Sequence, residues 1–189
     1  MRKTLLLISF LLAGLMGVSQ ESVGFYAGFL PYNHATLKSK STSEVITLQY
    51  SMAAPALHAG VSLGGNILLL EGSYSWGQRY HSSDSVAGIT AGHWGAHYFF
   101  GGSFLPNKRV QPMLYVGMGF SRYQEPISKL YLNIGGKARL LVCLTPQLAL
   151  YAGCNYMHSV NTKYYVESNL EVEAGIIGYL KPIFRRRSR

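Results

Sequence analysis

Along most of the chain apolar residues alternate with small or polar ones, and Gly, Pro or Asn punctuation recurs about every twenty residues. A period of two marks β-strands whose faces differ chemically, because successive side chains point to opposite sides of a sheet. The pattern predicts eight strands, near 22–33, 46–63, 66–80, 86–104, 110–124, 129–144, 147–160 and 169–182. Three connections are tight: Gly64-Gly65-Asn66, Leu105-Pro106-Asn107-Lys108 and Pro146-Gln147. Gly, Pro and Asn supply the backbone angles such turns need. The other connections, about 34–45, 81–85, 125–128 and 161–168, are longer and polar. The expected fold is all-β, an eight-stranded antiparallel up-and-down barrel. Each strand exceeds the roughly 9–11 residues that a tilted strand needs to cross a bilayer.

The two faces separate on several strands. Leu114, Val116, Met118 and Phe120 share one face of the fifth strand, and Tyr115, Gly117, Gly119 and Ser121 the other. On the sixth, Leu130, Leu132, Ile134, Ala138, Leu140 and Val142 oppose Tyr131, Asn133, Gly135, Lys137 and Arg139. On the eighth, Leu170, Val172, Ala174 and Ile176 oppose Glu171, Glu173 and Gly175. A soluble barrel keeps its apolar face inside and shows many charges to water. Here the non-apolar face is too small and too sparsely charged for that. It fits a narrow lumen, and the apolar face then points to lipid, making the barrel transmembrane. A soluble periplasmic ligand-binding barrel is the alternative.

Composition agrees. Charged residues are 13% of the chain, against about 25–35% on the surface of a soluble domain. Tyr98, Phe99, Phe100, Phe104, Tyr179 and Phe184 fall near the rim of the tight turns, and Trp76, Tyr80, Tyr123 and Tyr156 toward the opposite rim. Two aromatic bands are expected where a barrel meets the membrane interfaces.

The ends set the compartment. Arg2 and Lys3 precede an apolar run from Leu5 to Val18, and Gly17, Val18 and Ser19 put small residues at the two positions a signal peptidase reads. Residues 1–20 are read as a cleavable signal peptide. Residues 21–184 form the barrel and 185–189 a basic tail. No later stretch could be a membrane helix, since Leu140 to Gly153 is short and is interrupted by Thr145-Pro146-Gln147. The formal charge of +9 is concentrated at the ends. From Glu21 to Phe184, 11 basic residues face 8 acidic ones without a basic stripe. No nucleic-acid partner is expected.

With these features the chain resembles the small eight-stranded outer-membrane proteins, the OmpA transmembrane domain, OmpX and the wider porin-like β-barrel family. The resemblance covers Ser22 to Pro182 and rests on strand count, alternating short and long loops, and the last strand. Glu173, Gly175 and Leu180 match the spacing of the family's C-terminal assembly signal, while Gly178 stands where a bulky residue is usual. The resemblance implies the cell outer membrane as location, with both chain ends in the periplasm. It also implies contact with outer-membrane lipid and lipopolysaccharide, and handling by the barrel-assembly machinery during insertion. Members serve as scaffolds, adhesins, conduits and lipid-modifying enzymes, so the fold leaves the task open.

Several residues are candidates for chemistry. Counted up from the turns, Glu71 and Arg139 fall at one height and Glu173 and Lys137 at another. A lumenal network of these four is expected, joined by Arg79 and Glu171, because an unpartnered buried charge is costly. Such a network serves as a plug, or as the gate of a narrow small-solute conduit. His93 and His97 share a strand face, but about 13 Å of strand separates them, so they are not expected to chelate one ion. No metal and no other cofactor is expected. Cys143 should stand opposite residue 149 or 150, and Cys154 opposite 138 or 139, so both are expected to be free thiols. Gly135-Gly136-Lys137 lacks the rest of a phosphate loop.

His158, Asn161 and Glu171 resemble the His, Asn and Glu of lipid A deacylases, which are outer-membrane acyl-ester hydrolases, but Val160 holds the serine position of their His-x-Ser-Asn stretch. Ser159, however, neighbours His158 and should point to the other face, where nucleophile and base cannot meet. The expected function is therefore non-enzymatic. A monomeric envelope or surface-interaction component would present extracellular loops, chiefly His34 to Glu44 and Asn161 to Ser168.

Overall fold

The computed structural model describes residues 23–40, 45–50, 56–82, 90–106, 108–123, 130–160 and 165–183. They form β1 (Gly24–Ser39), β2 (Val45–Tyr50), β3 (Ala56–Leu63), β4 (Leu68–Ser82), β5 (Thr90–Ser103), β6 (Val110–Tyr123), β7 (Leu130–Cys143), β8 (Leu148–Ser159) and β9 (Tyr165–Tyr179). From β3 onward each strand pairs antiparallel with the next, and β9 returns to β1. β2 and β3 lie end to end. β2 pairs with the far end of β1 and β4, and β3 with the near end of both. Together they fill one place in the ring, so the sheet closes as an eight-position antiparallel barrel. Closing a sheet into a ring removes the edges that an open sheet presents.

The three tight turns lie at one rim. At the first, Gly64, Gly65 and Asn66 all adopt positive φ, at 61°, 64° and 78°. Glycine enters this region without penalty, and asparagine tolerates it better than most residues. Asn66 is held there by Ser62 and Tyr179, whose hydroxyls donate to its Oδ1 at 2.6 and 2.9 Å.

β1 and β9 are longer than the alternation predicts. β1 continues through His34 to Ser39, and β9 begins at Tyr165 rather than residue 169. The two extensions pair with each other, from Tyr32↔Val172 to Ser39↔Tyr165. A β-bulge between Phe29 and Tyr32 explains the difference. It shifts the inward set from Tyr26 and Leu30 to Asn33, Ala35 and Leu37, so the period of two breaks at Pro31 and imitates a strand end. Much of two supposed loops is therefore strand. Residues 41–44 and 161–164 lie outside the described residues.

The polarity is inverted relative to a soluble protein. Val116 is 68% exposed and Phe104 64%, whereas Lys137 is 2% and Glu173 1%. Leu114, Met118, Phe120, Leu130, Ile134, Leu140, Leu170, Val172 and Ile176 all face outward. Inside, the rim of the tight turns is floored by Leu69, Phe99, Met113, Leu141, Ile177 and Tyr179. Phe99 and Tyr179 thus turn inward and pack, rather than joining an outer aromatic band. Phe100 and Phe104 do face outward. Cys143 pairs with Ala149 and Cys154 with Ala138, so the thiols are out of register, one buried and one exposed, and both are free.

Candidate functional site

Above the apolar floor, side chains from β3, β4, β7 and β9 meet across the lumen. Lys137 and Arg139 are two residues apart on β7 and share its inner face. The Lys137 ammonium donates to Glu71 Oε2 at 2.6 Å and to Glu173 Oε2 at 2.8 Å. Arg139 Nε donates to Glu173 Oε1 at 2.7 Å, and another guanidinium nitrogen lies 3.4 Å from Glu71 Oε2. Gly153 stands between Arg139 and Glu173 in the sheet. It has no side chain to separate them.

Aromatic rings complete the cluster. The Arg139 guanidinium lies 4.8 Å from the Tyr26 ring centre and 4.2 Å from that of Tyr151. The Lys137 ammonium lies 4.5 Å from the Phe99 ring centre. Both cations gain electrostatically from the ring faces. The Tyr26 hydroxyl donates to Glu71 at 3.1 Å. His58 bonds to the Tyr151 hydroxyl at 2.9 Å, and its Nδ1 stands 3.5 Å from both Glu71 and Glu173.

His58, Glu71 and Glu173 each place one ligand-type atom within 4.8 Å of the others, the geometry of a metal site. The Lys137 ammonium, however, already contacts both carboxylates. It takes the place of a bound cation. Desolvating four charges costs several kcal/mol each, roughly offset by pairing this close. The cluster therefore adds little net stability, while loss of one member strands its partner.

Glu171 stands apart from this cluster. Its carboxylate accepts from Asn33 and Asn169 at 3.0 Å each on Oε1 and from Asn155 at 3.1 Å on Oε2. Three amides from β1, β8 and β9 satisfy it, and no described cation lies within ion-pair distance. The expected network of six thus resolves into a paired cluster of four and an amide-bound Glu171. The Arg79 side chain lies outside the described residues. Nearer the far rim, Glu167 accepts from the Ser121 hydroxyl at 2.7 Å, and Asn133 donates to Ser121 at 2.8 Å.

The hydrolase candidates do not come together. Ser159 is buried in the lumen, where its hydroxyl accepts from the Glu167 backbone at 2.7 Å. His158 points outward and bonds to the Ser168 hydroxyl at 2.9 Å. Glu171 is enclosed by its amides. Asn161 lies outside the described residues.

Spacing alone does not single out His58, yet its Nδ1 stands between both carboxylates. Strict alternation would have found it, since Ala56, His58 and Ser62 form the inner row of β3 and Leu57 and Ala59 the outer one. Asn33 was hidden by the bulge.

No protein-family model and no curated protein matches this chain in sequence. Solved structures do match in shape. Neisserial surface protein A (NspA) aligns with a TM-score of 0.50 at 19% identity, covering 83% of this chain and 95% of that one. The outer membrane protein OprG from Pseudomonas aeruginosa aligns with a TM-score of 0.57 at 8% identity, covering 85% and 96%. At such identities only the fold is shared. Together with the closed ring of strands, the alignments show that this chain has the fold of the small eight-stranded outer-membrane β-barrels.

Proposed function

We propose that the protein resides in the outer membrane as a non-enzymatic envelope component that displays its loops at the cell surface. The observation that carries this reading is the inverted polarity: an outward belt of Leu, Ile, Val and Phe around a lumen of paired charges. In water such a belt would drive aggregation, whereas in a bilayer it is the matching surface. The rim of the tight turns is then periplasmic. The apolar run at the N-terminus supports export, and lipid and lipopolysaccharide are the natural contacts of the belt. Insertion through the barrel-assembly machinery fits the last-strand pattern.

The lumen reads as a plug. An eight-stranded barrel has an interior just wide enough for side chains. This one is filled by the apolar floor and, above it, by the Glu71–Lys137–Glu173–Arg139 cluster. Membrane fractionation with gel analysis tests the reading. The protein should co-sediment with outer membranes and migrate faster before boiling than after. Release with the soluble periplasmic fraction would overturn it. Bilayer conductance lost on neutralising Glu71 or Arg139 would reassign the protein as a conduit. Ester hydrolysis of lipid A lost in His158→Ala would make it an enzyme.

A further inference from the structure

Beyond Glu71, the inner faces of β4 and β5 carry a second group of buried polar side chains. Ser73 and Ser75 on β4 and His93 and His97 on β5 are all buried. Neither ring nitrogen of His97, nor the hydroxyl of Ser73 or Ser75, has a hydrogen-bond partner among the described residues. Buried polar groups are rarely left unmet, and native proteins satisfy them with water or a ligand.

Gly95 lies between the two histidines on the inner face and pairs directly with Ser73. Positions four apart on a strand are separated by about 13 Å, too far for upright rings to share an ion. The His97 ring is not upright. Its Cε1 lies 2.7 Å, and its Nδ1 3.4 Å, from the point a side-chain carbon on Gly95 would occupy. The Ser73 hydroxyl lies 2.9 Å from the same point. The imidazole therefore lies along the strand toward His93, over space that only glycine leaves open, and takes up roughly half the separation.

We infer that the inner face around Gly95 binds one borderline divalent metal ion such as Cu2+ or Zn2+, with the imidazoles of His93 and His97 as ligands. Imidazole nitrogen suits these ions, whereas an all-oxygen set would favour Mg2+ or Ca2+. The Ser73 and Ser75 hydroxyls stand ready to orient the ligands or a metal-bound water. The site adjoins the His58–Glu71–Glu173 group, since Glu71 pairs with His97 across β4 and β5, but in that group Lys137 already supplies the positive charge.

The test is titration of Cu2+ into the chelator-treated full barrel in detergent, read by electron paramagnetic resonance, with Zn2+ as competitor. One Cu2+ per chain is expected, with hyperfine splitting from two imidazole nitrogens. His93→Gln and His97→Gln should each weaken binding by at least about 100-fold, the upper range for loss of even an outer-sphere partner. Gly95→Ala should also weaken it, although it removes no ligand. Heat-modifiable gel migration reports whether each variant is folded, and Gly95→Ala with the wild-type spectrum decides if the histidine variants are not. Absence of tight Cu2+ binding, or equal binding in the folded variants, would overturn the inference and leave water as the occupant.

Discussion

Two walls of the same lumen handle buried polarity in opposite ways. On the side built by β7, β8, β9 and β1, Lys137 and Arg139 bond to Glu173 at 2.8 and 2.7 Å, and Asn33 and Asn155 to Glu171 at 3.0 and 3.1 Å. On the inner face of β4 and β5, Ser73, Ser75 and His97 are also buried and make no such bonds among the described residues. Burial alone therefore does not define the energetic role of a lumenal residue. On the first wall a side chain holds a neighbour whose charge has nowhere else to go. On the second its polar atoms meet no described partner.

Substitutions can break or sharpen this contrast. The largest loss should come from Lys137→Met, which takes from buried Glu71 and Glu173 the ammonium both accept from and leaves Arg139 alone to neutralise them. About 3–5 kcal/mol is expected for breaking a buried pair, measured by urea titration of folding into lipid vesicles. Next comes Asn155→Leu. It removes one of three donors to Glu171 and should cost about 1–3 kcal/mol in the same assay. A double-mutant cycle between Lys137 and Glu71 should give a coupling of about 0.5–3 kcal/mol, as residues in one network do. The smallest effect is expected for Ser75→Ala, within about 0.5 kcal/mol, because no bond is lost. A loss there comparable to Asn155→Leu would erase the distinction between the walls.

The sequence makes the outer shape of the molecule legible and leaves the pairing inside it less so. Faces on β6, β7 and β9 follow from alternation because neither period nor burial is disturbed there. β1 defeats the same rule at Pro31, where the bulge inserts an irregular step. The cross-lumen partners are harder still. Their heights depend on strand stagger around the whole barrel, so Glu171 is grouped by sequence with the other charges but meets amides instead. The turn at Gly64-Gly65-Asn66 sits at the opposite extreme, since its geometry is written in three adjacent residues.

The seam between β1 and β9 also governs how this molecule can come into being. It joins Gly24 to Tyr179 and Ser39 to Tyr165, segments from the two ends of the strand order. Contacts so distant in sequence form slowly, because a long loop must close before they give any return. Until they form, two strands carry unpaired amide and carbonyl groups that hydrocarbon cannot satisfy. Assembly is thus governed by its final event: the earliest strand must wait, shielded, for the latest. A chain shortened by one terminal strand would lose the barrel as a whole rather than one-eighth of it.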